Sequence, residues 1–515
     1  MLVAGLAAAT VFLLSNPEGL KPQLAAWITE ETDYQVELRG PLSWQFWPTL
    51  ELTVRDLSAT TKTDQLDAPT TTIDISLLEM SVDWPAIWRD VDRWKIDHIA
   101  LQSATITEGE DTFIIDHLQL QDFRPGQASS LQATITQPFP MDSFEVPVPL
   151  QITTTGDFTY TLAENERLAA FQLDNLTTTS PAFEGQCNAQ IRATEHEVPA
   201  PVDPDALLPL DTLAAYDGNG RCLFSKLRVN GETFTNVDAE LTNLNGRLEI
   251  GATTSAFNGD LAGQVTVDIP NLQGGEQKNV PATEPRWDFE ATLAEVNSKE
   301  VFAWAQRPVD WQGPLSFVVD GSAKGNTAET LNASRNVNLS MQGQAGTVNV
   351  AAVKAQLQKA AALIRRNDFD NWPERWDYQS IQGQWTLAGT QLQGNLLMDH
   401  LSASTNGTLK LDNTVDVRTD LVFAEAAPDT NFRINPVLQD TPIPVRCSGP
   451  AENVSCNVDR GGLTNLIAGA LSGNQDSGLK RKIEEKIEEE VPEQYRDAAR
   501  NLLELLGRTL QSKDD

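Results

Sequence analysis

Histidine and cysteine are scarce in this chain of 515 residues, with four of each, all scattered. That leaves little from which to build a metal centre, which draws its ligands mainly from those residues and from clustered carboxylates. Basic residues are also outnumbered: 38 Lys and Arg stand against 72 Asp and Glu, for a formal net charge of −34. So acidic a surface repels phosphate backbones and argues against nucleic-acid binding. Signatures of phosphate and hydrolase chemistry are missing. The stretch GSAKGNT from Gly321 has the wrong spacing for a P-loop, and no GxSxG elbow, HExxH helix or EF-hand loop is found. What the chain does have is 40% hydrophobic residues, with 12 Trp and 18 Phe, too apolar a composition for a disordered acidic tail.

His98, His117, His196 and His400 stand alone in sequence and read as surface or strand histidines. Carboxylate pairs arise by chance in so acidic a chain. A glycosidase would need two of them in a polar cleft, often beside stacking aromatics. Trp44, Trp47, Trp84, Trp88 and Trp94 could stack, but they sit among apolar neighbours that favour packing or interfacial roles. No catalytic residue, metal ligand or cofactor site is nominated, and the chain reads as a non-enzyme.

The run LVAGLAAATVFLL, residues 2–14, is shorter than the ~20 residues of a spanning helix and lacks the basic start of a secretory signal. It is read as a membrane anchor, residues 1–16, whose cytoplasmic start is missing; a signal core and a buried helix are the alternatives. Residues 17–32 then read as a helix with Pro17 in its first turn and Leu20, Leu24, Trp27 and Ile28 on one face. Cys187 and Cys222 lie in strand-like stretches separated by a Pro-rich connector, and Cys447 and Cys456 flank a turn. Each pair could close a hairpin, and two disulfides would imply an oxidising compartment. Four unrelated thiols are the alternative.

Period-two alternation dominates the remainder. Val265, Val267 and Ile269 share one face, as do Leu409 with Leu411, and Val415, Val417, Leu421 and Phe423; similar runs hold Leu50, Leu52 and Val54, Leu131, Ala133 and Ile135, and Phe158, Tyr160 and Leu162. Polar residues occupy most of the alternate positions, and Asn, Gly, Asp or Pro separate the runs. This is the pattern of many half-buried antiparallel strands. Residues 244–269 and 392–417 resemble each other as a weak repeat. Helical pattern is confined to 351–367 and to a C-terminal pair, in which Leu479, Ile483, Ile487 and Val491 form a stripe before Pro492.

The segment VELRGPLSWQFWPTLELTVRDLSA, residues 36–59, resembles the AsmA family of Gram-negative envelope proteins. Its Gly40, Pro41, Leu42, Trp44, Phe46, Trp47 and Pro48 occupy the family's Gly-x-hydrophobic-x-Trp/Phe-Pro strand pair. Residues 80–106, 385–423 and 442–459 are also similar to the family. The resemblance implies a protein anchored in the bacterial inner membrane by one N-terminal helix, with its bulk in the periplasm. It also implies a link to outer-membrane assembly and lipid homeostasis, and a likeness to bridge-like lipid transporters built on a long bent β-sheet.

The expected fold is therefore mostly β: a long bent antiparallel sheet forming a hydrophobic groove (β-taco-like), an N-terminal membrane helix, a few short helices and a C-terminal helical pair. The expected regions are the anchor (1–16), an N-terminal helix-plus-β region (17–150), a middle β-groove region (151–340), a C-terminal β region (341–460) and C-terminal helices (461–515). Lipid contact is assigned to Val265, Val267, Ile269, Leu409, Leu411, Val415, Val417, Leu421 and Phe423. A phospholipid or other acyl-chain lipid is the expected partner, with the inner membrane and envelope proteins as further partners. Three functions are weighed: holding or conducting lipid along the groove; acting as a non-catalytic scaffold or regulator of outer-membrane protein targeting and assembly; and, least supported, acting on a polysaccharide.

Overall fold

In a computed structural model the chain is mostly β, with 66% of the described residues in strands, one long antiparallel sheet and a few short helices. The structure describes residues 17–459 except 33, 46–48, 63–70, 83–95, 109–110, 138–148, 164–166, 195–204, 270–283, 308, 352, 356–357, 359–372, 429, 434–438 and 452–453, together with scattered positions between 485 and 500. The expected anchor (1–16) lies outside the described residues, as does most of both C-terminal helices; the described positions 493, 496, 497 and 500 of the second are helical. So does most of the helix expected over 351–367. Among the described residues no helix is long and apolar enough to cross a membrane. The chain forms two compact units, Met1–Ala200 with Leu210–Thr254, and Pro201–Pro209 with Ser255–Asp515. The boundary expected at 340/341 falls inside a strand, because turn-rich composition marks where the chain leaves a strand and not where contacts thin out.

The first unit begins with a 3₁₀ turn, Pro17–Leu20, and α1, Lys21–Glu31. Its strands are β1 (Tyr34–Leu38), β2 (Leu42–Gln45), β3 (Leu50–Thr61), β4 (Thr71–Val82), β5 (Ile96–Glu108), β6 (Asp111–Gln121), β7 (Ala128–Gln137), β8 (Leu150–Leu162), β9 (Leu168–Thr179) and β10 (Phe183–Ala193). After the short α2 (Leu210–Ala215) come β11 (Tyr216–Val229), β12 (Glu232–Leu244) and β13 (Arg247–Ala256), the last ending just past the unit's limit. From β3 to β12 each strand pairs antiparallel with the next.

The far edge of β3 is shared by β1 and β2. Between them Gly40 passes so close to β3 that a Cβ would stand 2.6 Å from the Arg55 carbonyl, so only glycine fits. The outer edge of this pair is blunted by side chains: Val36 N–H donates to Thr29 Oγ1 at 3.0 Å and Leu42 N–H to Glu18 at 2.8 Å. In α1, Leu24 and Ile28 are half-buried while Trp27, expected on the same stripe, is 59% exposed.

The second unit holds β14 (Gly259–Asp268), β15 (Arg286–Asn297), α3 (Ser298–Trp304), β16 (Trp311–Gln312), β17 (Pro314–Lys324), α4 (Ala328–Ser334), β18 (Asn336–Gly343), β19 (Gly346–Asn349), β20 (Arg375–Tyr378), β21 (Ile381–Ala388), β22 (Gln391–Met398), β23 (Leu401–Leu409), β24 (Thr414–Phe423), β25 (Ile443–Pro450) and β26 (Ser455–Val458). Strands β16, β19 and β20 form a small sheet of their own, and the other strands of both units belong to one 23-stranded sheet. The proposed repeat does not survive: residues 247–256 are one strand, whereas the matching stretch is broken by a turn between β22 and β23.

The apolar pattern changes phase inside several strands, and paired single-residue breaks in the ladder explain it, of which the one at Asp116 shifts the register against β7. The register passes over Asp56, Ser76, Ser103 and Asp116, one residue in each of β3 to β6, aligned across the sheet. Asp56 and Ser103 take positive φ, and the exposed pairs Arg55–Asp56 and Gln102–Ser103 mark the slip. Val54 and Leu57 thereby stay on one face, as do Leu101 and Ala104. The same device recurs at Asn236 in β12.

Candidate functional site

Cross-strand register builds the candidate site. In the first unit Trp44, Leu52, Met80, Ile99, Leu120, Leu131 and Gly156 stand opposite one another in succession from β2 to β8, one unbroken apolar row. Every member is half-buried. Trp44 and the fully packed Leu42 belong to the motif that carried the family resemblance; Phe46, Trp47 and Pro48 lie outside the described residues.

The second unit repeats the arrangement. A row runs Val265, Phe289, Gly321, Val337, Leu387, Leu392, Gly407, Val417, Cys447 and Cys456, from β14 to β26, with no hydrogen-bonding side chain in it. The neighbouring row contains Val319, Leu339, Trp385 and Val445, and its hydroxyls, Thr405 and Thr419, lie 3.0 Å apart and satisfy each other. Large side chains lie down over glycines. A Cβ at Gly321 would meet the Phe289 ring at 2.6 Å, and Cβ atoms at Gly383 and Gly394 would fall within bonding distance of the Trp385 indole. Trp385 is thus flattened onto the sheet, which lowers the relief of this face.

How far the face is covered differs along the strands. At one end Leu315, Ile381, Met398, Leu401 and Phe423 are closed over by the small sheet, with Trp376, Tyr378 and Phe432. Trp376 stacks on Phe432 at 4.5 Å, His400 stacks on Phe432 at 4.6 Å, and Trp311 Nε1 donates to Tyr378 Oη at 2.7 Å. This stopper is a conventional core. Toward the other end of β18, β21 and β22, Val337, Leu339, Trp385, Leu387 and Leu392 remain half-buried. A second layer packed over the whole face would bring them close to zero exposure, as it does at the stopper.

The residues nominated from sequence divide accordingly. Val265, Val267, Leu409, Val415, Val417, Leu421 and Phe423 share the apolar face. Val265, Leu409 and Val415 are half-buried and Val417 is 7% exposed. Val267, Ile269 and Phe423 are 0% exposed, so they are core and offer no surface to a ligand. Leu421 packs against the stopper. Leu411 departs from expectation: β23 ends at Leu409, Lys410 N–H donates to the Thr414 carbonyl, and Leu411 sits in the resulting turn at 44% exposure. Trp385, Leu387, Leu392 and Val337 were missed, although Trp385 and Leu387 alternate with Gln384 and Thr386.

Both expected disulfides are present, Cys187–Cys222 and Cys447–Cys456, with Cα separations of 4.1 and 4.0 Å. Each joins directly opposed residues of paired strands, β10 with β11 and β25 with β26.

The opposite face is hydrated and charged. Arg446 grips Asp416 through two contacts of 3.0 Å, and Arg221 donates to Asp238 at 2.8 Å. Each guanidinium holds its carboxyl below the ordinary carboxylate range, chiefly through these hydrogen bonds. A shallow hollow of about 500 Å³ on this side is lined by Gln342, Gln382, Gln384, Asn395 and Asp420, together with the apolar Leu397 and Val422. Water can satisfy such a surface, whereas it cannot satisfy the apolar one. No protein-family model, curated protein or solved structure gives a significant match to this chain.

Proposed function

We propose that this protein holds acyl-chain lipid against the apolar face of its sheet and lets it pass along that face, as a non-catalytic protein anchored in the bacterial inner membrane with its bulk in the periplasm. The carrying observation is the half-covered cross-strand row Val337, Leu387 and Leu392, continuous with apolar positions on either side. Burying a methylene contributes about 0.8 kcal/mol. A 16-carbon chain covered on one side would gain on the order of half the full value, about 6 kcal/mol. The contacts are non-directional and recur with each strand, every ~4.8 Å, so no position binds much better than the next and the chain can slide. The two disulfides favour an oxidising compartment. The residues resembling the AsmA family favour a role in outer-membrane assembly, with phospholipid as the cargo.

The test is site-specific photocrosslinking in membranes from the bacterial host, with mass spectrometry of attached lipid. Probes at Val337 and Leu392 should capture phospholipid, and a probe at Asn338 on the polar face should not. Empty probes at Val337 and Leu392, with protein adducts at Asn338, would overturn this reading in favour of a scaffold that regulates outer-membrane protein assembly.

A further inference from the structure

Arg335 is an unusual cation in a chain of net charge −34. It stands one residue before β18, opposite Gly389 in the β21–β22 turn, whose N–H donates to the Arg335 carbonyl at 2.7 Å. Its side chain runs across that turn to β23. Nε donates to the Gly389 carbonyl at 3.0 Å, Nη2 to the Leu409 carbonyl at 3.0 Å and Nη1 to Asn332 Oδ1 at 2.9 Å. All three acceptors are neutral, and the group is partly buried. Among the described residues no carboxylate forms an ion pair with it. Three of the five N–H groups of a guanidinium are thus used, and the full positive charge meets no counter-ion among the described residues.

Its position matters because Arg335 lies at the end of the strands away from the stopper. From Gly389 back to Gly383, beneath Trp385, β21 covers about 20 Å of apolar face, comparable to the ~15 Å of hydrocarbon in one bilayer leaflet. The stopper end carries Asp377, Asp399 and the ion pair of Asp310 with Arg375 at 2.6 Å; Asp399 accepts from Gln379 and Ser380 N–H.

We infer that Arg335 anchors the anionic headgroup, phosphate or carboxylate, of a lipid whose chain lies along β21–β23 with its tail toward the stopper. This rests on the function proposed above and adds an orientation and a charge preference to it. A charge-assisted contact to a partly buried guanidinium is the stronger kind of hydrogen bond, and a preference of about tenfold over an uncharged amphiphile follows.

The test uses the full chain with three probes: hexadecyl phosphate, hexadecanol and inorganic phosphate, by equilibrium binding. The variants are Arg335→Gln and Asn332→Asp. The second keeps the hydrogen bond but supplies the missing counter-ion, and so guards against a folding defect in the first. The expected result is that wild type prefers hexadecyl phosphate about tenfold over hexadecanol and does not hold inorganic phosphate. Both variants should lose the preference while binding hexadecanol as before. If both variants keep the tenfold preference, Arg335 is not the anchor, although chain binding stands. Tight, Arg335-dependent binding of inorganic phosphate would make this a free-anion site and overturn the headgroup assignment. If neither alkyl probe binds the wild type, the lipid reading itself fails.

Discussion

Two leucines on the same face of the same sheet should respond very differently to truncation. Leu315 lies under the stopper with 0% of its surface exposed, whereas Leu392, near the opposite end of the strands at the start of β22, is half-buried. Truncating an enclosed leucine to alanine removes its transfer free energy and leaves a cavity, at a cost of about 2–5 kcal/mol. At Leu392 only about half of a ~2 kcal/mol transfer term is present and solvent or ligand fills the gap, so the expected cost is about 1 kcal/mol. Guanidinium denaturation followed by tryptophan fluorescence measures both, since Trp376 reports the stopper and Trp385 the open face. Adding a 16-carbon lipid should stabilise wild type by mass action and widen the deficit of Leu392→Ala, because the bound chain then covers that side chain. Equal penalties at the two positions, each above about 2 kcal/mol, would mean that a facing layer closes the whole apolar face. The lipid reading would then have no surface to stand on.

The stopper should also weaken in acid. Burial pushes the His400 imidazole below its ordinary value, with nearby Asp399 opposing and Arg433 reinforcing the shift, and the ring is packed against Phe432 and Phe423. The unfolded chain therefore takes up a proton first, so His400 favours the folded state above pH ~6.5 and that contribution is lost as pH falls through 6.5 toward the folded value. The melting temperature of wild type should drop more than that of His400→Phe between pH 7 and pH 5; parallel curves would refute the assignment. Removing the disulfides should cost unequally. The Cys187–Cys222 bridge spans 35 residues and Cys447–Cys456 spans 9. The loop-entropy estimate is then about 4 and ~2.5 kcal/mol respectively. Paired Cys→Ser variants with the reverse order, read from denaturation midpoints, would show that another term dominates.

Much of the architecture could be read from alternation. Val415, Val417, Leu421 and Phe423 occupy the face that their spacing assigned, opposite Asp416, Arg418 and Asp420, because an unbroken strand has a strict period of two. Where the period broke, the pattern was harder to follow. Residues Leu52 and Val54 fall on even positions, Leu57 and Ala59 on odd ones, and only the positive-φ break at Asp56 reconciles them. Single-residue slips of this kind leave no compositional mark beyond an Asp, Ser or Asn that tolerates positive φ. The stopper was illegible for another reason. Trp311, Trp376 and Phe432 are far apart in the chain and come from strands of two to four residues and a loop, too short to show periodicity. Alternation also could not tell Val265, half-buried, from Val267 two residues on, which is fully enclosed. Coverage is a property of what packs above a residue, not of its own spacing.

Neighbour-to-neighbour pairing has a consequence for how the second unit is assembled. From β21 to β26 each ribbon bonds to the one made just before it, so a chain delivered from its N-terminus always meets a finished edge. The stopper breaks this rule. Its β16 is synthesised before β17 and β18 but must wait for β19, and β19 in turn for β20. Phe432, which completes the aromatic stack, arrives later still, after β24. The ribbons can therefore accumulate in the order of translation, whereas the wedge at their end is fitted only after β24 has been made.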